Sequence, residues 1–331
     1  MYQTVYLATP NSNQIEVWSL NSNNGILKLI QIVKIKGEIQ PICIYKEKNI
    51  LYAGIRKSNF IISYHISHLG ILKEISYLQL PDPINHISIN RKQKLLFCSS
   101  YHSGTLTIVN INHLGHPNNI QQIISHLPGC HSATCDLQEK IVLVAALKKN
   151  KIYLYEIHNG YIVTNKIQKY ISTINSLGPR HIICHQNKKN IYSINELNST
   201  IDVWLINNVT YAISHIQNIN FMPKGFDGIH WGSEIRILPN GKFLYASDRT
   251  ENIISIFNIN NYDGTLTYIS QIYTEIIPRS FDIDIYGQYL IVAGQQSNSI
   301  SVYEISSHSG LLNYKHRYSV GHGPLWVLIN Q

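Results

Sequence analysis

The chain has 331 residues, of which 44% are hydrophobic and 14% are charged, and its formal net charge is +8. This composition is typical of a globular protein and excludes disordered and fibrous classes. The 27 Lys and Arg residues are scattered along the chain, so we expect a small anionic ligand in one pocket and no binding to nucleic acid.

The N-terminal segment MYQTVYLATP lacks the basic and apolar regions of a signal peptide. No segment approaches 18 uninterrupted apolar residues, so we expect no association with a membrane. The five cysteines form no Cys-x-x-Cys pair and are expected to be reduced, mostly buried thiols. Together these features predict a cytoplasmic protein.

A pair of strand-like runs occurs seven times along the chain. The pairs are VYLA and IEVW, LYAG and IISY, LFCS and LTIV, VLVA and IYLY, IYSI and IDVW, LYAS and ISIF, and LIVA and ISVY. Successive pairs start 45 to 53 residues apart, a period typical of a β-propeller. We therefore predict an all-β fold in which residues 1–331 form a single domain, a seven-bladed β-propeller.

Each repeat is predicted to contain four strands. In the second repeat these are residues 41–45, 51–55, 60–66 and 71–80, separated by the turn-like segments KEKN, RKSN and SHLG. The chain starts at the second strand of a unit, whereas its last segment, PLWVLIN, matches a first strand. The C-terminal strand should therefore complete the N-terminal blade and close the ring.

Two rings of equivalent positions should lie on one face of the propeller, because the first strand lines the pore and the second strand runs antiparallel to it. The residues that begin the first strands are Gln40, Asn85, His131, Arg180, Ser233, Arg279 and Leu325. The residues that follow the second strands are Pro10, Arg56, Tyr101, Leu147, Glu196, Arg249 and Gln295. Four arginines, one glutamate and one histidine in these rings predict a binding or catalytic site at one mouth of the pore.

Two of these residues are candidates for proton transfer. His131 has a side chain whose usual pKa is near neutral, which suits a proton shuttle. Glu196 suits a base that orients water, or equally a structural ion pair with the arginines. Cys130 precedes His131, but adjacent strand residues point in opposite directions, so we expect a buried thiol there.

The arginines are candidates for anion contact, because a guanidinium group is always charged and forms paired hydrogen bonds with phosphate or carboxylate. Arg180 and Arg279 are the first choices. The further candidates for substrate contact are Arg249, Arg56, His181 and Gln295.

Residues 222–234 form a longer connection that precedes the first strand of the sixth unit. Trp231, His230 and Asp227 in this segment are expected to form a wall or lid over the site, or simply a longer surface loop. His181 and His185 have the spacing of a helical zinc motif, but in a strand four residues span about 13 Å, so they should not share a metal. We expect no metal and no cofactor.

The motifs resemble those of the seven-bladed 6-phosphogluconolactonases, a family related to muconate-lactonising cycloisomerases. The resemblance covers nearly the whole chain and rests on QTVYLATP, QPICI, GCHSA, GPRHI, NELNSTIDVW, LYASDRT, PRSFDID, AGQQSNSISVYEI and GPLWV, in that order. It departs from the family pattern at Ser280, where the family usually has glycine. The resemblance implies hydrolysis of 6-phospho-D-glucono-1,5-lactone to 6-phosphogluconate in the oxidative pentose phosphate pathway.

The resemblance also implies catalytic roles for His131, Arg180 and Glu196, with His131 or Glu196 activating water and Arg180 polarising the carbonyl. Arg279, with Arg249 or Arg56, would bind the phosphate. One alternative is a cycloisomerase or another lactonase on the same scaffold, and a second is a propeller that only binds protein partners. We expect a monomer whose partner is a small phosphorylated sugar lactone.

Overall fold

The computed structural model describes residues 2–173 and 177–330, which form seven antiparallel sheets arranged as the blades of a propeller. The prediction of an all-β, seven-bladed ring is confirmed. The first strands of blades 1 to 7 are Trp326–Asn330, Ile39–Tyr45, His86–Asn90, Cys130–Cys135, Pro179–Cys184, Gly232–Ile237 and Pro278–Ile283. The second strands are Tyr2–Thr9, Ile50–Ile55, Leu95–Ser100, Ile141–Ala146, Asn190–Asn195, Phe243–Asp248 and Tyr289–Gly294.

The two remaining strand positions lie toward the rim. The third strands are Gln14–Asn21, Phe60–Ile66, Thr105–Ile111, Lys151–His158, Thr200–Ile206, Ile253–Ile259 and Ser299–Ile305. The outer strands are Leu27–Lys34, Leu72–Gln79, Pro117–Ile124, Tyr161–Thr164 with Tyr170–Ser172, Ile213–Asn220, Leu266–Tyr273 and Leu312–Ser319. Three short 3₁₀ helices, Pro10–Ser12, Lys46–Lys48 and Leu147–Lys149, connect strands.

Blade 4 departs from the predicted four strands because its outer strand is divided in two. The Asn165 side chain accepts hydrogen bonds from the backbone N–H groups of Ile167 and Gln168, at 2.9 and 2.7 Å. Such a local side-chain bond stabilises a turn at the expense of the strand ladder. The chain therefore leaves the sheet after Thr164 and rejoins it at Tyr170.

The C-terminal strand closes the ring, as predicted. It pairs antiparallel with the N-terminal strand, placing Val5 opposite Ile329 and Leu7 opposite Val327. The N-terminal strand thus has a partner on both sides and presents no free edge to solvent.

Hydrophobic burial explains the order of the strands within a blade. The second strands are mainly apolar and are buried except at Tyr2, because each blade is covered by two neighbours. The outer strands alternate between buried and exposed residues, as expected where one face meets water. Seven hydrophobic clusters result, one between each pair of adjacent blades.

Buried tyrosines link adjacent blades at four interfaces. Each phenol in a second strand donates a hydrogen bond to a glycine carbonyl in the turn before the next blade's outer strand. The pairs are Tyr6 with Gly70 (2.9 Å), Tyr52 with Gly115 (2.5 Å), Tyr192 with Gly264 (2.8 Å) and Tyr245 with Gly310 (2.9 Å). Gly264 is required there, since its φ is +79° and a Cβ atom would lie 2.2 Å from the Asn190 side chain.

Replacing Tyr192 by Phe should lower the free energy of unfolding by about 1–2 kcal/mol, because the Gly264 carbonyl would lose its buried donor. Phe97 occupies the equivalent position in blade 3, which indicates that a phenylalanine ring can be accommodated at position 192. Urea unfolding should show a lower midpoint with an unchanged slope. Tyr262→Phe, at a residue 98% exposed, is the matched control and should be neutral. An unchanged midpoint for Tyr192→Phe would show that the bond contributes nothing.

Candidate active site

Bulges in the first strands direct the predicted residues toward the pore. The ladder between the first and second strands shifts register at the start of five blades, across Gln40, His131, Arg180, Ser233 and Arg279. A bulge places two residues opposite one and re-aims a side chain that strict alternation would turn elsewhere. One ring of the predicted site therefore depends on a repeated irregularity of the sheet.

A cavity of about 260 Å³ lies at this mouth of the pore. Its walls come from both predicted rings and from two neighbouring positions. The lining residues are Gln40, Arg56, Asn85, Tyr101, His102, His131, Glu196, Trp231, Arg249 and Arg279. The structure thus brings His131, Glu196, Arg279, Arg249 and Arg56 into one cavity, although they lie in different blades.

Glu196 is held between two arginines. Its Oε2 atom lies 3.0 Å from Nε of Arg180 and 3.1 Å from an Nη atom of Arg249. The carboxylate is 15% exposed, whereas each guanidinium partner is only 2% exposed. The carboxylate is therefore fixed at the cavity wall from behind, by charges that solvent screens weakly.

Arg180 is not among the residues that line this cavity, and its contact with a substrate carbonyl stays a prediction. Its guanidinium lies beneath Glu196 and donates a hydrogen bond to the Ser233 carbonyl. Burial lowers its pKa, and the nearby Glu196 and Glu234 carboxylates partly oppose this. Arg180 therefore contacts the Glu196 carboxylate and the Ser233 backbone.

Arg249 is similarly constrained but remains part of the wall. It donates hydrogen bonds to the carbonyls of Trp231 (3.2 Å) and Gly232 (2.8 Å), and its guanidinium lies 4.1 Å from the centre of the Trp231 ring. Burial and then the charge of Arg180 hold its pKa well below the usual value. Arg249 thus joins the loop of residues 222–234 to Glu196.

Arg56 and Arg279 differ from the other two arginines in lacking a direct ion pair in the part of the chain that the structure describes. Among the described residues, no Asp or Glu oxygen forms an ion pair with either guanidinium. Burial, followed by the charge of Arg180, lowers the pKa of Arg279 to about 10. A cationic group without a counter-ion at the wall of a small cavity is suited to binding an anion.

His131 is neutral at the cavity wall. Burial lowers its pKa well below the usual value, and the charges of Arg180 and Arg279 add to this effect. Its Nδ1 atom is buried and has no hydrogen-bond partner among the described residues. Neighbouring Cys130 points away into the core, as predicted, and burial raises its thiol pKa to about 12.

Two predicted contact residues lie away from the cavity wall. His181 is deeper in the pore, where its Nδ1 atom lies 2.9 Å from Oε1 of Glu234 and its ring centre is 5.1 Å from that of His131. Gln295 lies in the turn after the second strand of blade 7, outside the cavity lining. His185 contacts the Gly241 carbonyl instead of approaching His181. In the described ranges no three His, Cys, Asp or Glu residues could together hold a metal.

The loop of residues 222–234 contributes one residue to the wall. Trp231 lines the cavity with its ring over Arg249. His230 packs on Phe226, and Asp227 is exposed, so neither reaches the cavity. The sequence reasoning did not select His102, which directly follows the ring position of Tyr101; a search one residue beyond each ring would have found it.

Lowering the pH should destabilise this region, because His86, His131 and His181 are buried in neutral form. Burial lowers the pKa of His86 to about 4, and those of the other two lie well below the usual value. The unfolded chain binds protons at these imidazoles below about pH 6.5, whereas the folded protein does not. The free energy of unfolding should therefore fall below that pH, by up to about 1.4 kcal/mol per pH unit for each histidine.

Urea unfolding between pH 7 and pH 5 measures this effect. In His86→Phe the free energy of unfolding should decrease less steeply as the pH is lowered, because the contribution of one histidine is removed. His113→Phe, at an exposed position, should show the same pH dependence as the parent protein. An identical decline in both variants would mean that His86 binds protons equally in the folded and unfolded states.

The fold and the site together define a seven-bladed propeller with a small, arginine-rich cavity at one mouth of its pore. Residues 2–329 match the model of the family "Lactonase, 7-bladed beta-propeller". The chain therefore belongs to this lactonase family, which confirms the family resemblance drawn from the motifs and indicates a lactone hydrolase.

Solved structures with this fold cover essentially the whole chain. A Bacteroides fragilis protein provisionally called a 6-phosphogluconolactonase is 21% identical, with a TM-score of 0.90, covering 100% of this chain and 98% of that one. The periplasmic gluconolactonase of Pseudomonas aeruginosa is 18% identical, with a TM-score of 0.93, and coverage of 100% and 99%. A Lactobacillus plantarum protein is 20% identical, with a TM-score of 0.92 and full coverage of both chains. At these identities the likeness shows the fold. None of the helices in residues 2–173 and 177–330 has the length and apolar character needed to cross a bilayer.

Proposed function

We propose that this protein hydrolyses 6-phospho-D-glucono-1,5-lactone to 6-phosphogluconate, without a metal, as in the oxidative pentose phosphate pathway. The observation that supports this most directly is the charge of the cavity. Three guanidinium groups and one carboxylate line the cavity, and within residues 2–173 and 177–330 neither Arg56 nor Arg279 forms an ion pair with an acidic side chain. A phosphate monoester is close to a dianion at neutral pH and would compensate this excess.

His131 is the group best suited to activate water. It is neutral at pH 7, lines the cavity and has an unpartnered Nδ1 atom. As the water oxygen bonds to the lactone carbonyl carbon, His131 takes the water proton. When the bond from that carbon to the ring oxygen breaks, the proton passes to the departing oxygen. General base catalysis of this kind contributes roughly 10²–10⁴ in rate.

The carboxylate and its two arginines form a second functional unit. Glu196 accepts a hydrogen bond from the attacking water and orients it toward the carbonyl carbon. Arg180 holds Glu196 from beneath and is a positioning residue. Arg249, on the cavity side of the same carboxylate, stabilises the developing oxyanion; losing such a donor typically costs about 3–4 kcal/mol.

The same contacts support further parts of the proposal. The C-terminal strand closes the ring within the chain itself, which supports a monomer. The five thiols are free, in keeping with a cytoplasmic location. An unphosphorylated gluconolactone is the second candidate substrate, because the Pseudomonas aeruginosa neighbour is named for it.

An assay of purified protein on the phosphorylated and unphosphorylated lactones tests the proposed function. We expect kcat/KM to be at least tenfold higher for the phosphorylated substrate, since charge-assisted hydrogen bonds contribute about 1.5–3 kcal/mol. Equal values would assign the protein as a general gluconolactonase. Activity on a dicarboxylate lactone alone would favour a cycloisomerase-like enzyme, and no activity on any lactone would favour a binding module.

Arg279→Met should raise KM for the phosphorylated lactone about 10- to 100-fold, because the phosphate would lose a charged donor. KM for unphosphorylated gluconolactone should stay the same. Arg91→Met is the matched control, since that arginine is 53% exposed and pairs with Glu47 away from the cavity. An unchanged KM for the phosphorylated substrate would exclude Arg279 from the phosphate site.

A further inference from the structure

A second cavity lies at the opposite mouth of the pore. Its volume is about 700 Å³, and it is lined by the ends of first strands and the turns that follow them. Because the candidate active site is built from the starts of the same strands, the two cavities face opposite sides of the ring. We call this cavity the lower funnel. Its walls combine charged side chains with apolar ones, among them Ile44, Ile89, Leu137, Ile285 and Leu328.

The floor of the lower funnel contains polar atoms without partners. The indole Nε1 of Trp326 and the Nδ1 atom of His86 are both buried and make no hydrogen bond within the described residues. Trp326 is 7% exposed, and the two rings lie 5.8 Å apart. By contrast, the buried indoles of Trp18 and Trp204 donate to Glu16 and Ser193. Burying a hydrogen-bond donor costs free energy unless an acceptor forms a hydrogen bond with it.

The charged groups on the floor of the funnel are paired, whereas the exposed Lys46 forms no ion pair among the described residues. Arg236 lies 2.6 Å from Glu234 and 3.1 Å from Asp282. At the rim, Arg91 pairs with Glu139 at 3.1 Å. A charged ligand would find no free counter-ion on the floor and would lose hydration on entry. The funnel therefore favours an uncharged ligand, in contrast to the arginine-rich cavity at the other mouth.

From these observations we propose that the lower funnel is a second binding site, for an uncharged small molecule with an apolar body and one hydrogen-bond acceptor. The apolar body contacts the isoleucine and leucine walls, and the acceptor accepts a hydrogen bond from the indole N–H of Trp326. The volume and the few converging polar groups are those of small-molecule sites. The inference does not rest on the proposed lactone hydrolysis and concerns other residues.

NMR of protein labelled with ¹⁵N at its four indoles tests the site directly. The Trp326 signal is assigned by its absence from Trp326→Phe, or by elimination with Phe variants of the other three tryptophans. Titration with cyclohexanone should shift the Trp326 signal saturably and leave that of Trp231, at the other mouth, unchanged. Methylenecyclohexane, which has the same shape without the acceptor, should bind about tenfold more weakly. Cyclohexanecarboxylate should also bind at least tenfold more weakly, because of its charge.

A variant of the funnel wall provides the second test. Ile44→Phe narrows the funnel and should weaken cyclohexanone binding at least tenfold, whereas Ile44→Val should leave the affinity within about twofold. The proposal is overturned if none of the three probes shifts the Trp326 signal saturably. It is equally overturned if the Trp231 signal responds instead. The same holds if the Trp326 indole proton shows contacts only to water, and none to the ligand, at saturating cyclohexanone.

Discussion

Replacing His131 by Asn should lower kcat for the phosphorylated lactone by about 10²–10⁴, with KM changed only a few-fold. The amide cannot take up the proton of the attacking water, so an interaction made only in the transition state is lost. Steady-state kinetics on the purified variant measure this split. Circular dichroism should match the parent protein, since the His131 Nδ1 atom has no hydrogen-bond partner to lose in the described part of the chain.

The control for this experiment is His113→Asn, at an exposed position outside the cavity, which should leave both constants unchanged. Glu196→Gln should also lower kcat, but by less, because an amide can still bind the attacking water. A loss in Glu196→Gln that exceeds the loss in His131→Asn would reverse the two roles. In that case the carboxylate would be the base.

Deleting residues 322–331 should abolish the folded monomer, the largest stability effect that we expect. The deletion removes the strand that pairs with the N-terminal strand and the buried side chains of Trp326, Val327 and Ile329. Burial of these three contributes on the order of 5–9 kcal/mol, comparable with the whole stability of a typical protein. The deletion would also leave a free strand edge, which favours aggregation.

Size-exclusion chromatography and thermal unfolding of the deletion variant measure this effect. His322→Ala, an exposed residue within the deleted segment, is the control and should behave like the parent. A deletion variant that remains monomeric, with an unfolding midpoint within a few degrees of the parent, would contradict the account of ring closure. It would mean that blade 1 is stable with three strands.

The candidate site shows which of its residues the repeat pattern alone can predict. The two ring lists placed Arg56, His131, Glu196, Arg249 and Arg279 at one mouth, and all five line the cavity. Equivalent positions of a repeat are bound to share a face, so this inference needs only the period and the strand order. The same argument could not assign each side chain its partner, and it therefore missed that Arg180 contacts Glu196 from beneath.

The predictions differ from the structure in other places too, again because the repeat pattern does not specify individual contacts. The division of the blade 4 outer strand depends on hydrogen bonds of one asparagine, Asn165, within an otherwise strand-like segment. The sequence does not indicate the lower funnel, because its isoleucines follow the pattern of ordinary strand residues. Only the ring geometry shows that Ile44 and Ile89 face a common space.

The sequence by itself determined the all-β class, the seven blades, the closing strand and the face on which the charged residues gather. These follow from periodicity, because a repeated pattern of burial allows each unit one way to pack against its neighbours. Only the tertiary structure decided which arginine contacts Glu196, which remain without a partner, and that His131 is held neutral. Those outcomes depend on strand bulges and on the mutual burial of charges from different blades, which no local pattern encodes.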